Sequence, residues 1–281
     1  MGWLRKTIVV AIAAVVIWQL YSIEETYRVG AYLDDQFMIT HRGEMIDRPE
    51  QTMAAYEYAY DEGIRIMECD ARLTKDDVFI AMHDSTWDRT TNGSGSIEHT
   101  DWYGYGEWLD AGGWFDAEYA DEPVPAMANL LDWAHSNAVL LWIDCYFSGA
   151  NDTQFQELID EHDMAGRVVL QFVVETRDFH RAEVYDDIEI SYRVALPLTQ
   201  LVTSAIGWAS EDGVKYLTIP WEMGQGYIYD EATENDVNII LFAYNQYKTD
   251  TQYITEFQEG AWGCFTDSAV QAGYIQKILE A

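Results

Sequence analysis

The chain is poor in positive charge. Only 16 of its 281 residues are Lys or Arg, against 49 Asp and Glu, for a formal charge of −33. That balance argues against a nucleic-acid partner, which needs a basic stripe. An anionic membrane surface would likewise repel the body of the protein. Cysteine is scarce too: Cys69, Cys145 and Cys264 are an odd number with no metal-type spacing, which excludes a complete disulfide framework. Each lies in a strand-like run, and Cys69 and Cys145 each adjoin a carboxylate. Strand alternation points them away from it, as small core residues. Internal repeats, low-complexity tracts and a second domain are absent. No apolar run reaches the ~20 residues of a comfortable membrane span.

What is present is a globular composition, 49% apolar and 14% aromatic, rather than a disordered acidic tail. The acidity has two readings, adaptation to high salt, where counterions screen self-repulsion, or an ordinary acidic extracytoplasmic protein. The N-terminus reads "MGWLRKTIVVAIAAVVIW", with Arg5 and Lys6 before an apolar run from Ile8 to Trp18 and Glu24-Glu25 beyond. Small residues at a cleavage site are missing after Trp18. Residues 1–23 are therefore expected to be an uncleaved signal anchor, with a cleaved signal peptide as the alternative. The basic flank predicts an extracytoplasmic body, membrane-anchored by an N-terminal helix, or secreted if the segment is cleaved. Residues 24–35 read as a linker and 36–281 as one domain.

That domain alternates apolar runs with amphipathic stretches. Nine runs have strand character: "QFMIT", "IRIMECD", "VFIAMHD", "VLLWIDCYF", "RVVLQFVV", "IEISYRVAL", "VKYLTI", "VNIILFAY" and "WGCFTD". Most are nearly continuous in apolar residues, as in a parallel sheet covered by helices. The pattern predicts an α/β fold, a TIM-type (β/α)8 barrel. Nine candidates for eight places make one strand peripheral, and the gap from Asp70 to Phe79 is too short for a covering helix. An aromatic-rich insertion, residues 85–124, follows the third strand. Its Trp102, Trp108, Trp114 and Phe115 are expected to pack it onto the barrel.

In such a barrel the site gathers at the carboxyl ends of the strands. The first candidate strand ends in His41-Arg42, the second in Glu68-Cys69-Asp70 and the third in His83-Asp84. The fourth carries Asp144. Glu68 and Asp70, two apart, share one strand face. With Asp144 they make three hard oxygen donors, suited to Ca2+ or Mg2+. His41 and His83 can serve as acid and base. Arg42 offers a planar fork for phosphate, and Gly43 permits a tight turn beside it. Any one of these would be unremarkable as a solvated edge or a turn. Together they describe metal-assisted attack on a phosphodiester.

"HRG…PEQT…MECDARLTKDD…AMHD…DRTTNGSG" resembles the signature of the glycerophosphodiester phosphodiesterase family. Later blocks, "GGWFDAEYADEPVPAM", "LLWIDCY" and "GCFTD", follow in order, and residues 172–235 match weakly. The resemblance implies hydrolysis of glycerophosphodiesters to glycerol phosphate and an alcohol, with a divalent cation. It puts His41 and His83 in catalysis, Arg42 on the phosphate, and Glu68 and Asp70 on the metal. The chain departs where the family usually has Glu-x-Lys, reading Asp144-Cys145-Tyr146. Aspartate can still bind a cation, but Tyr146 lacks a lysine's charge. Gln51 replaces an Asn or His. A Trp-Thr-x-Asn block reads Phe242-Ala243-Tyr244-Asn245, where Phe242 is expected to wall the substrate pocket. Two other readings remain: a phospholipase C-like or D-like lyase forming a cyclic phosphate, and a membrane-tethered binding protein on a degenerate barrel. The expected partner is a small phosphodiester. No protein partner is inferred, and the membrane is met only through the N-terminal segment.

Overall fold

The structure is a computed structural model that describes residues 32–174, 181, 184–185, 187–243 and 248–281. The anticipated anchor, most of the linker, and Tyr244 and Asn245 lie outside the described residues. No helix among the described residues is long and apolar enough to cross a membrane.

Among the described residues nine strands form, in chain order β1 Phe37–Thr40, β2 Ile66–Leu73, β3 Phe79–Ala81, β4 Leu140–Cys145, β5 Val168–Val173, β6 Glu189–Arg193, β7 Tyr216–Pro220, β8 Asn238–Phe242 and β9 Gly263–Thr266. The sheet runs β1-β9-β8-β7-β6-β5-β4-β2 and closes through a β1–β2 pairing, so eight parallel strands make the barrel. The ninth, β3, pairs antiparallel with β2, with Ala71 opposite Ala81, and stays outside the ring. It is the surplus strand of the sequence pattern. The short gap before it is a hairpin, and the insertion therefore leaves from the hairpin rather than from a barrel strand.

Helices cover the outside: α1 Met53–Asp61, α2 Met127–Asn137, α3 Asp152–Glu161, α4 Thr199–Asp212, α5 Gly226–Glu234, α6 Asp250–Glu259 and α7 Ala269–Leu279. Local chemistry sets their ends. Thr52 caps α1 by accepting from the Ala55 amide, Thr249 and Gln252 form a capping box on α6, and Gly213 ends α4 with φ +71°. The helix anticipated near Pro49 begins later, because Pro49–Gln51 form a turn that carries site residues.

Alternation gives each strand two faces. Outward residues such as Met67, Cys69, Leu141, Ile143 and Cys264 pack under the helices. Inward residues change character along the strand. On β2 they run Ile66, Glu68, Asp70; on β4, Leu140, Trp142, Asp144; on β1, Phe37 and Ile39 precede His41. The lower part of the barrel is thus an apolar plug built around Trp142, Phe37 and Ile240. The acids sit above it, at the carboxyl end. The Trp142 indole N–H is satisfied by Gln171 Oε1 at 3.0 Å.

The insertion has its own small core of Ile80, Met82, Trp87, Ile97, Trp102 and Leu109. Of its aromatics, Trp102 packs into this core rather than onto the barrel. Trp108 is 77% exposed and Trp114 42%, so neither packs onto the barrel.

Candidate active site

A cavity of about 490 Å³ opens at the carboxyl end of the barrel and is lined by His41, Arg42, Glu68, Asp70, His83 and Phe242 together. Asp144, anticipated with them, lies alongside: one donor atom from each of Glu68, Asp70 and Asp144 falls within 4.8 Å of the others, and all three residues are buried. The registers Glu68 opposite Trp142 and Asp70 opposite Asp144 explain this, because they align the acidic ends of β2 and β4.

Packing these acids together is unfavourable on its own. Burial, and then Asp70, push Glu68 up to about 8. Burial also raises Asp144, although Arg193 opposes the shift. Such a set of buried hard oxygens is relieved by a divalent cation, and the donor type fits Ca2+ or Mg2+. Nearby positive groups relieve it in part. Arg42 Nε stands 3.3 Å from Asp70, Arg193 Nη1 2.8 Å from Asp144, and His41 Nε2 4.0 Å from Glu68.

The "HRG" segment is held in an unusual backbone. Arg42 has φ +54°, and its amide donates to Glu68 Oε2 at 2.8 Å. Gly43 follows at φ +79°, where a Cβ would lie 2.9 Å from the Tyr56 ring and 3.0 Å from its amide nitrogen. Only glycine fits there. Gln51, also at positive φ, donates its amide to Arg42 O at 3.0 Å and its side chain to Asp70 Oδ2 at 2.7 Å. Positive φ at the non-glycine residues Arg42 and Gln51 costs roughly 1–3 kcal/mol each, and the hydrogen bonds around them hold it in place.

Each histidine is oriented by a carboxylate. His41 Nδ1 is 2.8 Å from Asp267 Oδ1, and His83 Nδ1 is 2.7 Å from Asp84 Oδ1. A carboxylate only accepts, so each Nδ1 carries the proton and each Nε2 is left for chemistry. Burial works against a charged His41, but Glu68 and Asp267 outweigh it and raise its pKa. His83 comes from beyond β3: Met82 N bonds Asp70 O at 3.0 Å, and Arg72 Nε bonds His83 O at 2.7 Å.

Several participants escaped the sequence reading. Glu50 accepts from Arg42 Nη1 at 2.7 Å and from both ends of the Arg89 fork at 2.8 and 2.9 Å, while Arg89 also holds Asp84. Asp267 directly follows β9 and Arg193 ends β6. The strand-end rule that selected His41 would have found both. Glu50 and Arg89 lie in loops beyond the reach of that rule, inside the quoted "PEQT" and "DRTTNGSG" blocks, where no role was read for them.

Comparison with known proteins bears on this geometry. Residues 41–192, more than half the chain, match the profile of the glycerophosphoryl diester phosphodiesterase family. The chain belongs to this family. A glycerophosphodiester phosphodiesterase of Caldanaerobacter subterraneus subsp. tengcongensis is 37% identical over 95 residues, 34% of this chain and 39% of that protein. One from Bacillus subtilis is 39% identical over 93 residues, 33% of this chain and 31% of that protein. The matched stretch spans less than half the length of these curated relatives. Among solved structures, a glycerophosphodiester phosphodiesterase from Agrobacterium tumefaciens superposes with a TM-score of 0.73 at 20% identity, covering 85% of this chain and 99% of that one. An Oleispira antarctica phosphodiesterase, solved with its product sn-glycerol-3-phosphate, also gives 0.73 at 20% identity, covering 89% and 99%. At that identity the likeness establishes the fold: this family member is a TIM-type barrel.

Proposed function

We propose that the protein is a phosphoric diester hydrolase that splits glycerophosphodiesters into glycerol phosphate and an alcohol. The observation that carries the reading is the convergence of two carboxylate-oriented histidines, Arg42 and the buried acids on one cavity. The bound product named for the Oleispira antarctica relative has the matching chemistry. Glu68, Asp70 and Asp144 would hold a divalent cation, Ca2+ or Mg2+, which when bound supplies Lewis-acid polarisation of the phosphoryl oxygens. Arg42 holds a non-bridging phosphoryl oxygen, its guanidinium fixed by Glu50. His41, with Nδ1–H given to Asp267, presents Nε2 to take a proton from the attacking group, either water directly or the glycerol hydroxyl, whose cyclic phosphate water then opens. His83, oriented by Asp84, returns one to the leaving alkoxide. Phe242, nearly buried, walls the cavity against the organic part of the substrate.

The body is proposed to work outside the cytoplasm, tethered or secreted through residues 1–23, with residues 36–281 as the catalytic domain. The test is an assay of the full chain with glycerophosphocholine, with and without a chelator. Metal-dependent release of choline and glycerol phosphate is expected. A stable cyclic phosphate product would favour a lyase, and glycerophosphodiester binding without turnover would favour a binding protein.

A further inference from the structure

The cavity gathers positive charge that is scarce elsewhere in the molecule, beside five carboxylates of its own. Four of the chain's 16 basic residues, Arg42, Arg89, Arg193 and Lys248, line it. Arg42 and Arg193 hold special positions. Arg42 follows β1 and Arg193 ends β6, and in the closed ring these strands are four steps apart in either direction. The two guanidiniums therefore approach the site from opposite walls. The carboxylates of β2 and β4 lie on the arc between them.

Arg193 is not a loose surface cation. Its side chain is 14% exposed, and Nη1 meets Asp144 Oδ2 at 2.8 Å. Nη2 donates to the Tyr146 hydroxyl at 2.7 Å, and the guanidinium lies 5.9 Å from the centre of the Phe242 ring. Tyr146 is itself fixed: its ring meets His83 edge-on at 5.8 Å between centroids, and the Arg72 guanidinium lies over it at 4.8 Å. Tyr146 thus spans the gap between an acid–base histidine and Arg193. Its neutral hydroxyl lends Arg193 an acceptor without cancelling its charge.

We propose that Arg193 is a second phosphate-holding residue, facing Arg42 across the cavity, and that Tyr146 is the positioning residue that aims it. The inference rests on the phosphodiester reading above and adds a subsite to it. A substrate anion approaching a protein of charge −33 needs cations where its charge comes to rest. One guanidinium per wall brackets a phosphoryl group in a way that Arg42 alone does not. Positive charge thereby enters from β6, whereas Tyr146 on the β4 side contributes only its hydroxyl.

The competing interpretation makes Arg193 merely the counter-ion of Asp144, and the two are separated by measuring anion binding apart from turnover. In the Mg2+-loaded full chain, glycerol 3-phosphate and inorganic phosphate are titrated calorimetrically against the wild type, R193Q, R193K and Y146F, and against R193Q combined with Y146K. Loss of a charge-assisted hydrogen bond predicts about 10- to 100-fold weaker anion binding in R193Q. R193K and Y146F should fall between, and Tyr146→Lys should recover part of the R193Q loss. With glycerophosphocholine, KM should rise more than kcat falls. R193Q that folds and binds phosphate like the wild type overturns the proposal, whatever happens to its cation affinity. Unchanged anion binding in Y146F removes Tyr146 from it. If R193Q does not fold, R193K and Y146F decide, and wild-type affinity in both overturns the proposal. Absence of wild-type turnover on any glycerophosphodiester would refute the functional reading, and the anion titrations would still decide Arg193.

Discussion

Replacing Glu50 by glutamine probes the network that steadies Arg42. The substitution keeps the shape and removes one negative charge. Glu50 is 5% exposed and accepts three charge-assisted hydrogen bonds, one from Arg42 and two from Arg89. Glutamine keeps one acceptor oxygen and turns an NH2 toward the other Arg89 nitrogen, so a bond is lost and two donors face each other. Breaking a buried ion pair costs roughly 3–5 kcal/mol. Here the cost is smaller, because Arg89 is 43% exposed and keeps Asp84, and Arg42 keeps Asp70 at 3.3 Å. About 2–3 kcal/mol remains, or about 5–10 °C in melting temperature for a domain of this size. Burial would raise the Glu50 pKa, but the Arg89 bonds and the Arg42 charge reverse that and lower it. Its contribution is therefore present above the ordinary carboxylate value and disappears as pH falls through the lowered folded value. The gap between wild type and E50Q should narrow in acid. A freer Arg42 should also lower kcat/KM about tenfold. Thermal melts at neutral and acid pH, with steady-state kinetics, measure all of this. An E50Q protein that melts within a degree of wild type at neutral pH, with unchanged kcat/KM, would refute the reasoning.

Four further outcomes are expected. Glu68 is raised to about 8 in the folded protein, so the metal-free protein should lose stability as pH climbs from the ordinary carboxylate range toward 8, and Mg2+ or Ca2+ should raise its melting temperature more at pH 8 than at pH 5.5; equal shifts at both would contradict a cation on these acids. In the metal-free protein His41 should titrate above the ordinary histidine value by NMR, and D267N should bring it down; its stabilising effect is complete below the ordinary value and lost as pH rises through the raised one. His83→Ala should abolish turnover with an unchanged far-UV spectrum, and near-normal activity would remove His83 from the mechanism. Turnover should hold or rise with moderate salt, because screening eases entry of an anion into so acidic a protein; a maximum at the lowest ionic strength would contradict this.

The barrel and most of its site were legible in the sequence for one physical reason. Where inward positions of a parallel strand turn from apolar to ionisable, the strand has reached its carboxyl end, and Ile66-x-Glu68-x-Asp70 and Leu140-x-Trp142-x-Asp144 show the turn directly. Less local features were hidden. The antiparallel course of β3 is fixed by its pairing with β2, and only the short gap before it bore on its direction. Glu50 sits in a turn whose meaning comes from Arg89, 39 positions away. Arg193 lies in a stretch where the family pattern fades; the strand-end rule reaches it, but its place opposite Arg42 emerges only once the ring closes.

The exclusion of β3 from the ring has a mechanical consequence. His41 is attached to a strand paired on both sides, whereas His83 hangs from a short hairpin arm braced by the insertion's own small core. The two histidines of the proposed acid–base pair are thus held by different parts of the fold. Changes at Trp87, Ile97 or Trp102 would reach His83 through the hairpin, and the barrel only through the few bonds that tie the hairpin to β2. The insertion's core is thus a mount for one histidine of the pair and not for the other.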